Sequence, residues 1–437
     1  MKISMNAQCK ADYGMARCPT APHRATNTRR AGTARPTGFN CRGLMAFLSI
    51  CLLVTSASAQ VVNVSKNFVK KSIVITSFAG GANVSDVLKN DLRLSGSFDI
   101  RPAGESAEYS VQGSADAAGV KCYLTQGAAK SSVLARAYPA ASNPRTTAHM
   151  IADDIVQAVT GQRGIAQTKI AFIYSPKRGV KELAVMDYDG YNAHVLTHDG
   201  QISGHPRWSP DGRKILYTSY WKGFPDVLEV DLITNQRRVV ANFSGVNSGA
   251  DYSPDGQTIA LTLSKDGNPE LYTMNAGGGG LQRLTHTKGA ESSPTWSPDG
   301  QSITYVSDDR GSPQIYTISR SGGEPTRLTR SPSYNTEPAW SRPPAGADVK
   351  PTLAVTSRVG GQFQVGVFEE GTGAVTPKAA DGDCTDPTWA PDGHHLVFGK
   401  LRGYRSRLYL LDVRTNEQLE LFAVDGESSE PAWGPRR

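Results

Sequence analysis

The residues of this 437-residue chain that could do chemistry are carboxylates and imidazoles set in small polar loops. Asp211, Asp255, Asp299 and Asp392 each stand between a proline and a glycine. His194, His198 and His205 lie close together, and His394 and His395 are adjacent. Such groups could form acid–base pairs or hold a metal ion, but their spacing argues otherwise. A catalytic aspartate would not recur in the same short motif four times, whereas an aspartate that caps a tight turn would. The histidines lack the flanking cysteine and acidic positions of known zinc sites. Of six cysteines, only Cys122 and Cys384 lie beyond residue 59, in different halves of the chain. That is neither a disulfide framework nor a metal cluster. The G-x-S-x-G elbow that exposes a hydrolase nucleophile occurs nowhere. The expectation is a chain with no catalytic residue, no metal site and no cofactor.

The elements around these residues are repeats. Trp208, Tyr252, Trp296, Trp340, Trp389 and Trp433 mark copies of one pattern, spaced 44, 44, 44, 49 and 44 residues apart. Ser292–Gly300 is the fullest copy, Glu337–Ser341 a degenerate one and Glu430–Pro435 a truncated one. A fixed period of this size signals stacked or circular supersecondary units. Within each unit the aromatic ends a short strand. Ser-Pro-Asp-Gly then makes a turn: proline sets φ, aspartate accepts hydrogen bonds, and glycine takes φ > 0. An alternating strand follows, as in Lys214–Thr218, then a third, as in Gln314–Ile318, and a fourth, as in Arg327–Thr329. Four strands per unit make a propeller blade.

Second and third strands occur six times, starting at Lys169–Tyr174 and Glu182–Met186. That first pair has no aromatic strand before it, and Pro431–Trp433 at the other end supplies one. Six blades then close into a ring, which removes free sheet edges. The extra residues before Trp389 fit a lengthened turn at Arg342–Asp348 in the fifth blade. The tryptophans are expected to pack between blades.

Residues 60–166 read as a small α/β domain ahead of the propeller at 167–437. Strands are expected at Ile73–Phe78, Phe98–Ile100, Tyr109–Gly113, Val120–Leu124 and Ser132–Tyr138. One helix carries Val84, Leu88 and Leu92 on a single face, with Ser85 as N-cap and Gly96 as its stop. A second spans about 146–160 with Ile151, Ile155 and Val159 on one face. The fold class is thus mainly β, a six-bladed β-propeller preceded by a small α/β domain.

Residues 1–59 form a leader. The apolar run Leu44–Val54 follows a basic flank and precedes Ala57-Ser58-Ala59, which reads as a signal peptide cleaved between Ala59 and Gln60. The run is too short to span a bilayer as an ordinary helix. Residues 1–41 fit either an early start codon or a transit peptide. The leader holds eight Lys/Arg and one acidic residue, so of the net +7 nothing remains beyond it: 39 basic and 39 acidic groups balance. The folded part therefore gives no electrostatic reason to bind nucleic acid.

A signal peptide, an α/β domain and Trp-Ser-Pro-Asp-Gly blades, in that order, resemble the TolB family of the Tol–Pal envelope system. Asp91–Phe98, Val185–Asn192 and Glu337–Trp340 carry the likeness further, the Asp-Tyr-Asp-Gly-Tyr-Asn string most specifically. The resemblance implies a periplasmic, non-enzymatic protein that links a Pal-like outer-membrane lipoprotein to a TolA-like inner-membrane protein. That linkage serves envelope integrity and outer-membrane invagination in division. It further implies that the propeller's channel mouth binds the Pal-like partner. The mature N-terminal strand, here Gln60, Val61, Val62, Asn63, Val64 and Ser65, would bind the TolA-like one. The protein is expected to be monomeric and peripheral to the membrane through its partners.

Blade geometry places six loops around one mouth of the channel. They contain Ser203 and His205; Asn247 and Ser248; Glu291 and Ser292; Asn335, Thr336 and Glu337; Thr385 and Asp386; and Ser429 and Glu430. Turn chemistry and a partner surface both fit their small polar character. The bends on the same face each carry a base, Arg178, Lys222, Lys265, Arg310, Arg358 and Arg402, as solvated hairpins or as an outer basic rim. Two other readings are a glycan- or metabolite-binding propeller and a propeller related to prolyl-oligopeptidase-type hydrolases without the catalytic domain.

Overall fold

The computed structural model describes residues 68–140, 143–344, 349–421 and 424–436. The leader, the cleavage position at Ala59 and Gln60, and the segment Gln60–Ser65 lie outside the described residues.

The N-terminal region is a five-stranded sheet in the order Phe98–Arg101, Lys71–Ala79, Tyr109–Asp116, Gly119–Gln126, Ser131–Pro139. Lys71–Ala79 pairs in parallel with both its neighbours, and the other two pairings are antiparallel. All five strands fall where β-branched and alternating runs place them. Helix α1, Ala82–Leu94, buries Val84, Leu88 and Leu92 as its periodicity dictates. Its start differs from expectation. The chain turns at Gly80, with φ 70, and Gly81 is the N-cap with no side-chain bond. The Ser85 N–H donates to the Gly81 carbonyl, so Ser85 lies inside the first turn and caps nothing. Helix α2, Pro144–Thr160, is capped more conventionally. The Asn143 side chain accepts from the Arg145 N–H at 3.0 Å, Pro144 opens the helix, and Gly161 at φ 75 closes it.

Six four-stranded sheets follow, one per blade. Blade two shows the plan: Ser203–Trp208 innermost, then Lys214–Ser219, Asp226–Asp231 and Arg237–Ala241 outermost. Blade one takes its innermost strand, Glu427–Trp433, from the other end of the chain, pairing Trp433 with Ile170 and Ser429 with Ile173. The lengthened connection of blade five falls between Trp340 and Leu353.

The repeated turn works as its sequence requires. Asp211 accepts from the Ser209 hydroxyl at 2.6 Å and the Arg213 N–H at 3.0 Å. Asp299 does the same with Ser297 and Gln301, and the glycines that follow, Gly212 and Gly300, sit at φ 69 and 67. In blade six Ala390 replaces the serine. Asp392 there accepts from the His394 and His395 N–H groups and from His395 Nδ1. The tryptophans join blades. Trp208 Nε1 donates to the Ala432 carbonyl, Trp296 to that of Asp251, and Trp389 to that of Ala339, each on the preceding blade's innermost strand.

One apolar core runs from α1 and α2 into blades one and six, where Phe172, Met186, Leu408, Leu410 and Trp433 meet Leu88, Ile151 and Ile155. Each such side chain, fully buried, contributes about 1.5–3 kcal/mol. Cys122 and Cys384 are unpaired and buried, and burial pushes each thiol up to about 12. Among the described residues no helix is long and apolar enough to cross a membrane.

Candidate functional site: the axial channel

Strand register fixes which loops share a face. Ser203 pairs with Ser219, and Ser219 with Asp226. The entry to the innermost strand and the bend between the second and third strands therefore lie at the same end. All six innermost strands are interrupted by a bulge one or two residues after this entry. At each interruption one residue has left-handed backbone: His205 at φ 52, Gly249 at 61, Ser293 at 51, Glu337 at 52, Asp386 at 55 and Glu430 at 48. An extra residue in one strand bends it and re-aims a side chain. Here the six re-aimed residues converge, one per blade, on a narrow cavity of about 20 Å³ that also touches Arg207.

Half of this ring is acidic. Glu337 accepts from the Thr356 hydroxyl and the Asp386 N–H, both at 2.7 Å. Glu430 accepts from Lys181 Nζ at 3.0 Å and the His205 N–H at 2.8 Å. Each glutamate thus grips the left-handed residue of the next blade. Burial pushes Glu337 above the usual carboxylate range. Burial, then the charges of Glu337 and Glu430, push Asp386 well above it. Burial acts on Glu430 too, but Lys181 and His205 outweigh it and hold that carboxyl at about 2.

The sequence-predicted residues divide by position in the repeat. Ser203, Asn247, Glu291 and Asn335 open their strands and are buried. They anchor loops. Asn247 Nδ2 donates to the Pro225 and Phe243 carbonyls. Asn335 Nδ2 binds Gln314 Oε1 and the Pro332 carbonyl. Glu291 accepts from Thr287 and Ser307, and burial raises its carboxyl to about 8. Thr336 is also buried, while Ser248, Ser292, Thr385 and Ser429 are half-buried beside the ring. Only His205, Glu337, Asp386 and Glu430 of the predicted set line the cavity itself. Gly249 and Ser293 complete the ring. The sequence signal for them was their alignment in the repeat rather than their chemistry.

Around this mouth the bends carry exposed aromatics that the sequence reading missed: Trp221, Phe224 and Tyr404. Lys222 and Arg237 lie over the Trp221 ring at 5.7 and 5.2 Å. The basic rim is uneven, since Lys265 is paired with Asp266 at 2.8 Å.

A second cluster joins the N-terminal region to blade one. Asp91 of α1 accepts from the Tyr188 hydroxyl at 2.8 Å and lies 2.7 Å from His149 Nδ1 of α2. Arg145 pairs with Asp189 and covers the Tyr191 ring at 4.0 Å. Burial raises the Asp91 carboxyl. Burial works to lower His149, but its contacts with Asp91 outweigh that and the net shift is upward. Asp91, His149 and Asp189 are close enough to hold a cation, the one such group among the described residues. Both Asp91 oxygens and the Asp189 carboxylate already have protein partners, so the donor set serves the interface. Asp91 entered the sequence reading only as the start of the Asp91–Phe98 stretch, and His149 had no signal of its own. Elsewhere, His395 lies between Asp392 and Asp412, and His194 is exposed.

Comparison with known proteins follows the same geometry. Residues 156–437 match the family model described as the TolB beta propeller domain. The Tol-Pal system protein TolB of Legionella pneumophila strain Philadelphia 1 is 32% identical over 201 residues, 40% of this chain and 48% of that protein. The protein of the same name from Jannaschia sp. strain CCS1 is 47% identical over 97 residues, 22% of each chain. The matched stretches thus span about half the length, or less, of these curated relatives. The crystal structure of TolB from Acinetobacter baumannii superposes with a TM-score of 0.76 at 28% identity, covering 84% of this chain and 97% of that one. The chain belongs to the TolB beta propeller family.

Proposed function

We propose that this protein is a non-enzymatic, periplasmic protein-interaction component of a Tol–Pal system. One mouth of its propeller docks a Pal-like outer-membrane lipoprotein, and its N-terminal segment Gln60–Ser65 engages a TolA-like inner-membrane protein. Family membership supports the system. The observation that supports the mouth is the ring of six re-aimed residues, one per blade, with three carboxylates on one side and Trp221, Phe224 and Tyr404 standing out around it. Exposed tryptophan and tyrosine are among the residue types most enriched in protein-binding hot spots. An extended N-terminal segment can add as a strand to a partner's sheet, main chain giving affinity and alternate side chains specificity.

The test is equilibrium binding of the mature protein to a purified Pal-like lipoprotein. Trp221→Ala with Phe224→Ala and Tyr404→Ala should weaken binding at least tenfold with an unchanged melting temperature. Glu337→Gln with Asp386→Asn and Glu430→Gln should also weaken binding at least tenfold, with retention of the fold checked by circular dichroism. Unaltered affinity in both sets would move the partner off this face. Removing residues 60–70 should abolish capture of a TolA-like partner and spare the Pal-like one.

A further inference from the structure

Beyond the ring the channel widens into a cavity of about 570 Å³ at the opposite end, the side of the Ser-Pro-Asp-Gly turns and of the N-terminal region. This lies within the ~300–1,000 Å³ range of ligand pockets. Its walls are of two kinds. Trp208, Trp340, Trp389 and Trp433 form one. Their indole N–H groups are consumed within the fold, three by neighbouring blades at the Ala432 carbonyl, the Thr304 hydroxyl and the Ala339 carbonyl, and that of Trp433 by the Thr168 hydroxyl at the entry to its own blade, at 2.8–3.0 Å. With those N–H groups occupied, the rings have only aromatic carbon to offer the cavity.

The other wall is cationic, with Arg163, Arg207, Arg342 and Arg436. Arg436 is spent on the fold: it donates to the Gly164, Pro391 and Arg163 carbonyls, and Asp392 and Asp153 balance its charge. The other three are not. Arg207 makes a single hydrogen bond, 2.9 Å to the neighbouring Pro206 carbonyl. Arg342 reaches Asp251 at 3.3 Å, and Asp251, the one carboxylate among the cavity's described lining residues, also takes the Trp296 N–H. Arg163 is exposed, and among the described residues its side chain has no hydrogen bond or ion pair. Arg207 also feels the buried Glu337 carboxylate of the ring, while on the chamber's own described lining the three guanidiniums meet one carboxylate, Asp251. Guanidinium forks match the planar geometry of carboxylate and phosphate oxygens, and aromatic carbon favours a flat apolar body.

We infer that this chamber is a binding site for a small organic oxyanion, a carboxylate or phosphate carried on a flat apolar group. The anion lies between Arg207 and Arg342, with Arg163 at the entrance and the apolar body against the tryptophans. The site faces away from the proposed docking mouth and does not depend on that reading.

Calorimetric titration of the mature protein with 2-naphthoate, 1-naphthyl phosphate and the neutral 2-naphthamide tests it. The charged probes should bind at one site, at least tenfold more tightly than the amide. A preference between the two identifies the oxyanion. Arg163→Gln with Arg207→Gln should weaken the better probe at least tenfold, with the melting temperature checking for damage where Arg207 faces Glu337; Arg163→Gln alone should weaken it with the melting temperature unchanged. Arg342→Gln should weaken it too, with its melting temperature checking for damage at Asp251. Equal binding of acid and amide, undiminished binding by the double variant, or no saturable binding of either anion would overturn the assignment.

Discussion

The two halves of the channel ring have the same backbone and different chemistry. His205, Gly249 and Ser293 on one side, and Glu337, Asp386 and Glu430 on the other, share a bulge, a φ near 50–60° and a place in the repeat. The first half holds no carboxylate; the second holds three, of which Glu430 is pinned ionised by Lys181 while Asp386 is pushed towards its neutral form. The lesson is that the repeat builds six equivalent positions, and function is written by what occupies them. A left-handed position strains most side-chain-bearing residues, asparagine and aspartate least. Keeping Glu, Asp and Ser there, where glycine would relax the backbone, costs stability that their channel-facing groups must offset.

The ring has two halves only because blade one is closed from both ends. Deleting Pro431–Arg437 removes Trp433 and Ala432 from their pairing with Ile170 and Ala171 and opens the circle. The loss should be on the order of the whole folding stability, about 5–15 kcal/mol. Insoluble protein, or no cooperative melt, is the expected result. A truncated protein that melts like the parent would show that closure does not hold the halves together.

Glu430→Gln should have the next largest effect. It leaves Lys181 without its carboxylate and costs about 1–3 kcal/mol at neutral pH. The sign with pH is definite. Glu430 is held below its ordinary value of 4.5, to about 2. Its contribution is therefore present above about pH 4.5 and lost as pH falls towards 2. Denaturant melts of parent and variant should converge over that window. A pH-independent difference would assign the effect to packing.

Asp386→Asn should act in the opposite direction. The Asp386 carboxyl is raised in the folded state, so folding is favoured when it is protonated and loses that advantage as pH rises. The neutral amide should stabilise the fold at pH 7, a gain that fades below about pH 4. Asparagine tolerates the left-handed backbone, so strain does not obscure the result. Destabilisation at pH 7 would mean that the acidic half is held ionised throughout.

Ser293→Gly is the smallest change. It relieves a left-handed residue in the uncharged half and should shift stability by less than about 1 kcal/mol. Binding of a Pal-like partner should be unchanged. If it weakened binding as much as neutralising the acidic half, the two halves would not differ in function.

The sequence by itself determined the blade count, the closure of blade one by Glu427–Trp433, the Asp-capped turns and the family. These follow from signals carried by consecutive residues, namely a fixed period, alternation, and the φ preferences of proline and glycine. It placed the small region's strands and both helices for the same reason, and misplaced only the α1 cap, because Gly80 turned the chain before Ser85 was reached. Tertiary structure alone decided which polar loop residues face the channel. Asn247, Glu291 and Asn335 look as available as Glu337 and Asp386 in sequence, yet a bulge one or two residues along buries the first set and aims the second inward. It alone joined Asp91 to His149 and Tyr188, and gathered Arg163, Arg207 and Arg342 around one chamber. Those groups come from separate blades or from helix and blade. Their proximity depends on how sheets stack around an axis, which no local pattern of residues encodes.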